Sequence, residues 1–495
     1  MMPGIMLSDL AGAIDGATLH GSDAPVSSVG IDSRHCKAGQ LFVALRGQHS
    51  DGHEYVAGAA RAGACAALVE QLQDCTLPQI KVASAERALA SIAAFNRDRF
   101  RGKVIAVTGS AGKTACKNML ASIFARTARL LVTRGNFNNE LGLPLTLTEL
   151  DASHDLAVLE MGAAKAGDIT YLAGIAQPHV GLVTNVSEAH LGGFGSIEAT
   201  ARTKGELFDA LPRDGVAVMN REDRFFEQWQ QRFCEQHAVH QVWSFALADP
   251  RADFYATEIS EDASGSRFTV RSDRVRPGWQ IPISLPLLGA HNVGNAVACI
   301  TLCKALALED EFIRAGLAAV QAESHRLQRC GACNELYLFD DSYNASPASM
   351  LAALQAVATL HRARVVNTGA GSDASARDLH CIAVLGDMAE LGERAATLHR
   401  QAGEQAAEHG YTLLFAIGAH AGQYLAGYEA AGGCGGRVLQ SVEQLAACLQ
   451  DEALRAATVL VKGSRVANMD RLVELLRLPD GAALADRPAG ERAPC

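Results

Sequence analysis

The densest chemistry in this sequence is Thr108-Gly109-Ser110-Ala111-Gly112-Lys113-Thr114, set between an apolar run, Val104-Ile105-Ala106-Val107, and a helix-like stretch from Lys113 to Arg126. A glycine-rich turn that opens a helix can wrap phosphate oxygens with backbone N–H groups. In that setting Lys113 supplies a point charge to the terminal phosphates, and the Thr114 hydroxyl suits Mg²⁺. The commoner spacing GxxxxGK[ST] requires glycine at position 107, where this chain has Val107, so the loop is a shortened variant. The run Leu156-Ala157-Val158-Leu159 ends in Glu160, a carboxylate at the carboxyl edge of a parallel strand, facing phosphates across a metal. His190 follows the next strand, Val180-Gly181-Leu182-Val183, at the same edge, where a metal-ligand role and a satisfied structural histidine are equally open. Asn136-Phe137-Asn138-Asn139-Glu140-Leu141-Gly142-Leu143-Pro144 has the amides of a rigid loop that hydrogen-bonds a polar ligand, a composition that simple turns share. Lys204-Gly205-Glu206 opens a helical segment and reads by itself as surface salt-bridge residues.

These residues need a scaffold of alternating strands and helices. Strand-like runs from Val104 to Met219 alternate with helical ones and predict a doubly wound, mostly parallel sheet. Before it, residues 1 to about 100 have the runs of a small α/β module. Between about 250 and 288, alternating patterns around Phe268-Thr269-Val270 and Ile281-Pro282-Ile283-Ser284-Leu285-Pro286 predict antiparallel strands, followed by a helix over Asn295 to Leu308. A third α/β block begins near Ala322, with strands at Leu336–Phe339, Cys381–Leu385, Leu413–Ile417 and Thr458–Val461. The expected fold is therefore α/β in three domains: an N-terminal module over 1–100, a central phosphate-loop domain over 101–320, and a Rossmann-like C-terminal domain over 321–495. Gly432-Gly433-Cys434-Gly435-Gly436 reads as a flexible loop, and Asn367 to Arg377 as a loop insertion whose Gly369-Ala-Gly371 does not complete a dinucleotide fingerprint.

Composition narrows the class. A length of 495 residues corresponds to roughly three domains, and 48% hydrophobic with 20% charged residues excludes fibrous and disordered chains. A net charge of −10 argues against nucleic acid as a partner, so an anionic substrate has to be met by locally placed cations or metal. The N-terminus lacks the basic and apolar regions of a signal peptide, and no apolar run reaches the roughly 18 residues of a membrane span. Thirteen scattered cysteines then read as free thiols in a reducing cytoplasm, the lone Cys330-Gly-Ala-Cys333 included.

In the order of its motifs the chain resembles the Mur ligase family, the ATP-dependent amide ligases of peptidoglycan precursor synthesis. The resemblance rests on Thr108 to Thr114, Asn138 to Pro144, Glu160-Met-Gly162, Asn185 to His190, Lys204-Gly-Glu206 and Gly289-Ala-His-Asn292-Val-Gly-Asn295. It continues through Asp340-Asp-Ser-Tyr-Asn344-Ala-Ser-Pro347, Leu385-Gly-Asp-Met-Ala-Glu-Leu-Gly392 and Val461-Lys-Gly-Ser-Arg465. At the N-terminus Asp32-Ser33-Arg34, Leu41 to Leu45 and Asp51-Gly-His53 match as well, so nearly the whole chain is covered. Within the family it looks like the branch that adds D-alanyl-D-alanine to a UDP-N-acetylmuramoyl-tripeptide.

The resemblance implies a chemistry and a set of roles. A substrate carboxylate attacks the γ-phosphate of ATP, and an amine then displaces phosphate from the acyl phosphate through a tetrahedral intermediate. Lys113, with Mg²⁺ on Thr114 and Glu160, would serve phosphoryl transfer, and a second Mg²⁺ near His190 would polarise the acyl group. Lys204 would carry a carbamate made from CO₂, which turns the cation into an anionic metal ligand. Asn292, Asn295, Arg326, Asp341 and Asn344 would bind ATP with the phosphate loop. Ser33, Arg34, Asn138 and Asn139 would hold the UDP-substrate, and Lys462 would lie near the incoming dipeptide. The expected protein is cytoplasmic and, with no exposed heptad or repeat in the sequence, a monomer. Three positions depart from the family pattern: Ala115-Cys116 replaces threonine, Ser346 stands for Asn, and Ser324-His325-Arg326 lacks the Gly that precedes the Arg. A sister activity, single-residue addition or folylpolyglutamate synthesis, and a non-catalytic nucleotide-binding regulator are the other readings. The Asp-Asn-Pro-Arg of the diaminopimelate-adding sister is absent.

Overall fold

The computed structural model describes residues 1, 3–47, 50–187, 194–262, 264–367 and 379–477. His190, the insertion from Gly369 to Arg377 and Cys495 lie outside them. The described residues build three sheets in chain order, as the alternating pattern predicts. The first has five strands, ordered Thr18–His20, Gln79–Lys81, Ala66–Val69, Gln40–Val43 and Ser28–Gly30, parallel except at the Thr18–His20 edge.

The central sheet has nine strands. From one edge these are Leu130–Val132, Leu156–Glu160, Lys103–Thr108, Val180–Val183, Val216–Asn220, Val242–Ala246 and Phe254–Asp262, all parallel to their neighbours. Gly265–Ser272 and Trp279–Leu285 then complete an antiparallel meander. The two halves differ in sequence for a physical reason. Parallel strands such as Leu156–Glu160 and Val180–Val183 are buried along their whole length because helices cover both faces. In Trp279–Leu285 buried and exposed residues alternate strictly, which puts Pro282 on the open face of the edge strand. One face of the sheet packs on helices Lys113–Phe124 and Ala290–Ala305. The other packs on Asp168–Ala176, Ile197–Asp209 and Phe226–Cys234. Helix Ala290–Ala305 begins five residues before the expected Asn295, because Gly289 turns the chain at φ +92° and His291 and Asn292, weak helix formers, are taken into the first turn.

The first two sheets are joined by an apolar core that runs from Leu89 and Ile92 to Leu143, Leu147 and Ile175. Buried side chains lock the joint. Asn96 Nδ2 donates to the carbonyls of Leu147 and Leu150 at 2.8 and 2.9 Å, and Arg97 Nε donates to that of Ala176 at 2.7 Å.

The third sheet orders six strands: Gln328–Gly331, Tyr337–Asp341, Thr458–Lys462, Cys381–Gly386, Leu413–Ile417 and Gly436–Val438. All pairs are parallel except the first. Two of its helices, Ala395–Glu408 and Ala421–Ala430, meet backbone to backbone: a Cβ on Gly403 would lie 1.9 Å from the Tyr424 carbonyl oxygen, and one on Gly427 1.9 Å from that of Arg400. Gly432 to Gly435 form the expected loop, and Gly436 opens the edge strand. Two of its glycines also allow close packing: a Cβ on Gly433 would meet the Tyr428 ring and one on Gly436 Leu425. Cys330 and Cys333 are free, and the Cys330 Sγ accepts a hydrogen bond from Arg477 Nη2. Every cysteine among the described residues is free. Among those residues no helix is long and apolar enough to cross a membrane.

Candidate active site

The site grows from the strand–loop–helix unit that the sequence predicts. Strand Lys103–Thr108 enters the loop at Gly109 (φ +147°), and Gly112 (φ +82°) hands the chain to helix Lys113–Phe124. Both positions demand glycine. A Cβ on Gly109 would lie 2.0 Å from Thr184 Oγ1, and one on Gly112 2.4 Å from Asn295 Oδ1. The loop is fastened from behind by the segment after strand Val180–Val183. Thr184 Oγ1 donates to the Ala111 carbonyl at 2.6 Å, Asn185 Oδ1 accepts the Ala111 N–H at 3.1 Å, and the Asn185 carbonyl accepts the Ser110 N–H at 2.9 Å. Thr108 points away, its Oγ1 donating to the Met161 carbonyl at 2.8 Å. Lys113 Nζ folds onto its own loop and donates to the Gly109 carbonyl at 2.8 Å. Burial pulls its pKa below the usual range, and nearby Glu160 opposes that shift.

Glu160 ends its strand 2% exposed. Its Oε1 accepts from Asn138 Nδ2 at 2.7 Å, while its buried Oε2 has no hydrogen-bond partner. An ammonium the sequence reading passed over, Lys117 Nζ, lies 3.8 Å from that oxygen. Its position four residues after Lys113 on one helical face is the spacing that could have revealed it. Gly162 shapes the same corner: its N–H donates to the Asn138 carbonyl at 2.8 Å, and a Cβ there would lie 2.9 Å from Asn138 Oδ1. Asn139 Oδ1 accepts the Gly142 N–H at 2.9 Å and starts helix Gly142–Thr148.

Lys204 corrects the surface salt-bridge reading. It sits within helix Ile197–Asp209, 2% exposed, with burial and then the charge of Lys113 lowering its pKa to about 7. Glu206 holds the start of helix Asp168–Ala176 by accepting the N–H groups of Gly167 and Thr170, both at 2.9 Å. Helical periodicity turns Lys204 inward where a charge count suggests a solvated face.

Two cavities meet at the phosphate loop. One of about 730 Å³ is lined by Ser110, Ala111, Gly112, Asn292, Asn295, Arg326, Asp341, Asn344 and Lys462, with Phe245 and Leu247 as apolar wall. The other, about 360 Å³, is lined by Lys113, Thr114, Asn138, Asn139, Glu160 and Tyr171. Ser110, Ala111, Gly112, Arg326, Tyr343 and Asn344 line both. The C-terminal domain closes the junction. Arg326 Nη2 donates to Thr114 Oγ1 at 3.2 Å, and its guanidinium lies 4.1 Å from the centre of the Tyr343 ring. His325 and Leu327, on either side, have φ of +64° and +48°. The family's missing glycine thus falls where the backbone is left-handed, and His325 is held there by Asp340, whose Oδ2 lies 2.8 Å from its Nδ1. Lys462 Nζ, fully buried, donates to Asp341 Oδ2 at 2.6 Å and to the Asn344 carbonyl at 3.0 Å.

Not every expected residue joins this centre. Ser33 and Arg34 form a turn that lines neither cavity, with the Arg34 guanidinium bidentate on Asp32 at 2.9 and 2.8 Å. Thr184, which fastens the phosphate loop, is a position the sequence reading missed; its signal is a hydroxyl directly after a buried parallel strand.

Comparison with known proteins bears on the whole chain. Family models match in sequence: the Mur ligase family catalytic domain over residues 25–97, the Mur ligase middle domain over 107–303, and the Mur ligase glutamate ligase domain over 325–465. The chain is 35% identical over 481 residues to the UDP-N-acetylmuramoyl-tripeptide–D-alanyl-D-alanine ligase of Escherichia coli K12, covering 96% of this chain and 99% of that one. It resembles a crystal structure of MurF from Acinetobacter baumannii with TM-score 0.81 and 32% identity, over 94% and 97% of the two chains. The ADP complex of MurF ligase from Thermotoga maritima, at 24% identity and TM-score 0.75 over 90% and 96%, shares the fold. Three Mur ligase family models matched in order along the chain, and a relative 35% identical over 96% of it, place this chain, with its shortened phosphate loop and buried carboxylate, in the Mur ligase family.

Proposed function

We propose that this chain is an ATP-dependent ligase that joins D-alanyl-D-alanine to UDP-N-acetylmuramoyl-tripeptide in the cytoplasm, during synthesis of the peptidoglycan precursor. The observation that carries the reading is the meeting of two cavities at one phosphate loop, in a chain similar over 96% of its length to a ligase of that name. One cavity fits a nucleotide and the other a carboxylate substrate, so the two reactants converge where Lys113 and Arg326 neutralise charge.

The substrate carboxylate in the smaller cavity attacks the γ-phosphorus of ATP. The bond to the bridging oxygen breaks, giving ADP and an acyl phosphate. Lys113 moves from its own loop carbonyl to the terminal phosphates, and the loop N–H groups of residues 112 to 114, at the start of the helix, hold the others. The dipeptide amine then attacks the acyl carbon, and the tetrahedral intermediate expels inorganic phosphate. Closure of the third domain on Thr114 keeps water from the acyl phosphate.

Residues 1–100 take the UDP end through Ser33 and Arg34, residues 101–320 the phosphates, and residues 321–495 the nucleotide and the dipeptide. Asn292, Asn295, Asp341 and Asn344 face ATP; Asn138 and Asn139 face the UDP-substrate; Lys462 lies beside the incoming dipeptide. The buried Oε2 of Glu160, which accepts no hydrogen bond and lies in the cavity that Thr114 also lines, fits a divalent cation. Bound there, Mg²⁺ would neutralise charge developing on the phosphates. His190 and a carbamate on Lys204 are the ligands we assign to a second Mg²⁺. A pKa near 7 supports the carbamate, because only a neutral amine attacks CO₂. The chain acts as a monomer.

The test is phosphate release from ATP in the presence of UDP-muramoyl-tripeptide, screened across amines. Release that requires D-alanyl-D-alanine supports the proposal. Release with a single amino acid, or with a folate and glutamate, would reassign the chain to a sister activity.

A further inference from the structure

Lys117 is buried, 3% exposed, in the helix that follows the phosphate loop, and the mechanism above does not use it. Burying an ammonium is costly unless a counter-charge and acceptors meet it. Its contacts are two: Glu160 Oε2 at 3.8 Å and, at the long distance of 3.4 Å, the carbonyl of Gly135 in the loop that carries Asn138. Glu160 is therefore held on two sides, by a hydrogen bond from Asn138 on Oε1 and by a charge on Oε2. The second oxygen is the one with no hydrogen bond, the one free to take a cation.

A fixed positive charge 3.8 Å from a carboxylate oxygen repels any second cation approaching that oxygen. Phosphates on the loop would supply the negative charge that outweighs the repulsion. We propose that Lys117 is a positioning residue that counter-charges Glu160, so that a divalent cation is captured there together with the nucleotide and not before it. The inference rests on the reading of Glu160 as a metal carboxylate.

Mn²⁺ binding to the full-length protein, followed by electron paramagnetic resonance without and with ADP, tests it. Without nucleotide, Lys117→Met should bind Mn²⁺ about ten-fold more tightly than the unaltered protein, the modest end of what one unit charge exerts at this range. Lys117→Arg should bind as weakly as the unaltered protein, and saturating ADP should tighten Mn²⁺ binding by the unaltered protein by more than about ten-fold, past that of nucleotide-free Lys117→Met. A purely structural lysine would not produce tighter binding on removal. Lys117→Gln repeats the measurement if the methionine variant melts early. With Glu160→Gln weakening Mn²⁺ binding in ADP, no tightening in Lys117→Met or Lys117→Gln would overturn this proposal alone. Unchanged Mn²⁺ binding by Glu160→Gln in ADP would remove the metal reading of Glu160, and this inference with it.

Discussion

Arg326 and Thr114, 212 residues apart, share a hydrogen bond of 3.2 Å across the cleft between the central and C-terminal domains. The Arg326 Nε lies 3.0 Å from Glu323 Oε2, the remaining edge of its guanidinium is placed to turn toward phosphate oxygens, and the ring of Tyr343 lies along the guanidinium face. Removing it should weaken nucleotide engagement more than folding. Arg326→Ala should raise KM for ATP by roughly ten- to a hundred-fold, the worth of a charge-assisted hydrogen bond, with Arg326→Lys between it and the unaltered enzyme. Steady-state kinetics in ATP check this, and an unchanged KM would refute it.

Lys113 lines the smaller cavity at the start of its helix, where the proposed reading places the terminal phosphates. Lys113→Ala should lower kcat by roughly a thousand-fold while the melting temperature stays within a few degrees, since the side chain bonds only to its own loop carbonyls. A coupled assay for ADP and a thermal melt report the two halves. A protein that kept full turnover would not be a ligase of this kind.

Gly162 lines the smaller cavity without a side chain of its own, yet its substitution should be felt. In Gly162→Ala the new methyl meets Asn138 Oδ1 at 2.9 Å, so the amide must swing away from Glu160. We expect kcat/KM to fall about ten-fold at a stability cost of about 1 kcal/mol or less, because the end of a half-buried loop side chain moves and the strand does not. Kinetics beside chemical denaturation separate the effects.

Lys204 fixes a pH dependence. Its pKa falls from 10.5 in an unfolded chain to about 7 in the folded one, so between those values the unfolded state binds more protons and stability rises with pH. The cost of burying the group is greatest below pH 7 and is relieved as pH rises toward 10.5. Lys204→Met in CO₂-free buffer should therefore lose part of the rise in stability between pH 7 and 9.5 that the unaltered protein shows. Denaturant titrations at several pH values measure it; parallel curves would place the lysine elsewhere.

Much of this was readable from residue order. The glycines and lysine of the loop, the carboxylate after Leu159 and the apolar runs on either side follow local rules of strand, turn and helix, and the structure keeps them. Family resemblance added residues that no local rule identifies, such as Lys462, which reaches Asp341 only because two parallel strands lie side by side. Lys204 and Lys117 misled or escaped because charge suggests solvent, and only packing shows which face of a helix is inward. The start of helix Ala290–Ala305 escaped because its first turn is written in residues that disfavour helix.

Gly403 and Gly427 let two helices of the third domain touch along their backbones. A methyl group at either position would meet a carbonyl oxygen of the facing helix at 1.9 Å, so the spacing of this outer layer is set by two side chains that are not there. A substitution at either would spread the helices and pull the Tyr424 and Tyr428 hydroxyls from the carbonyls of Gly386 and Tyr411 on which they end.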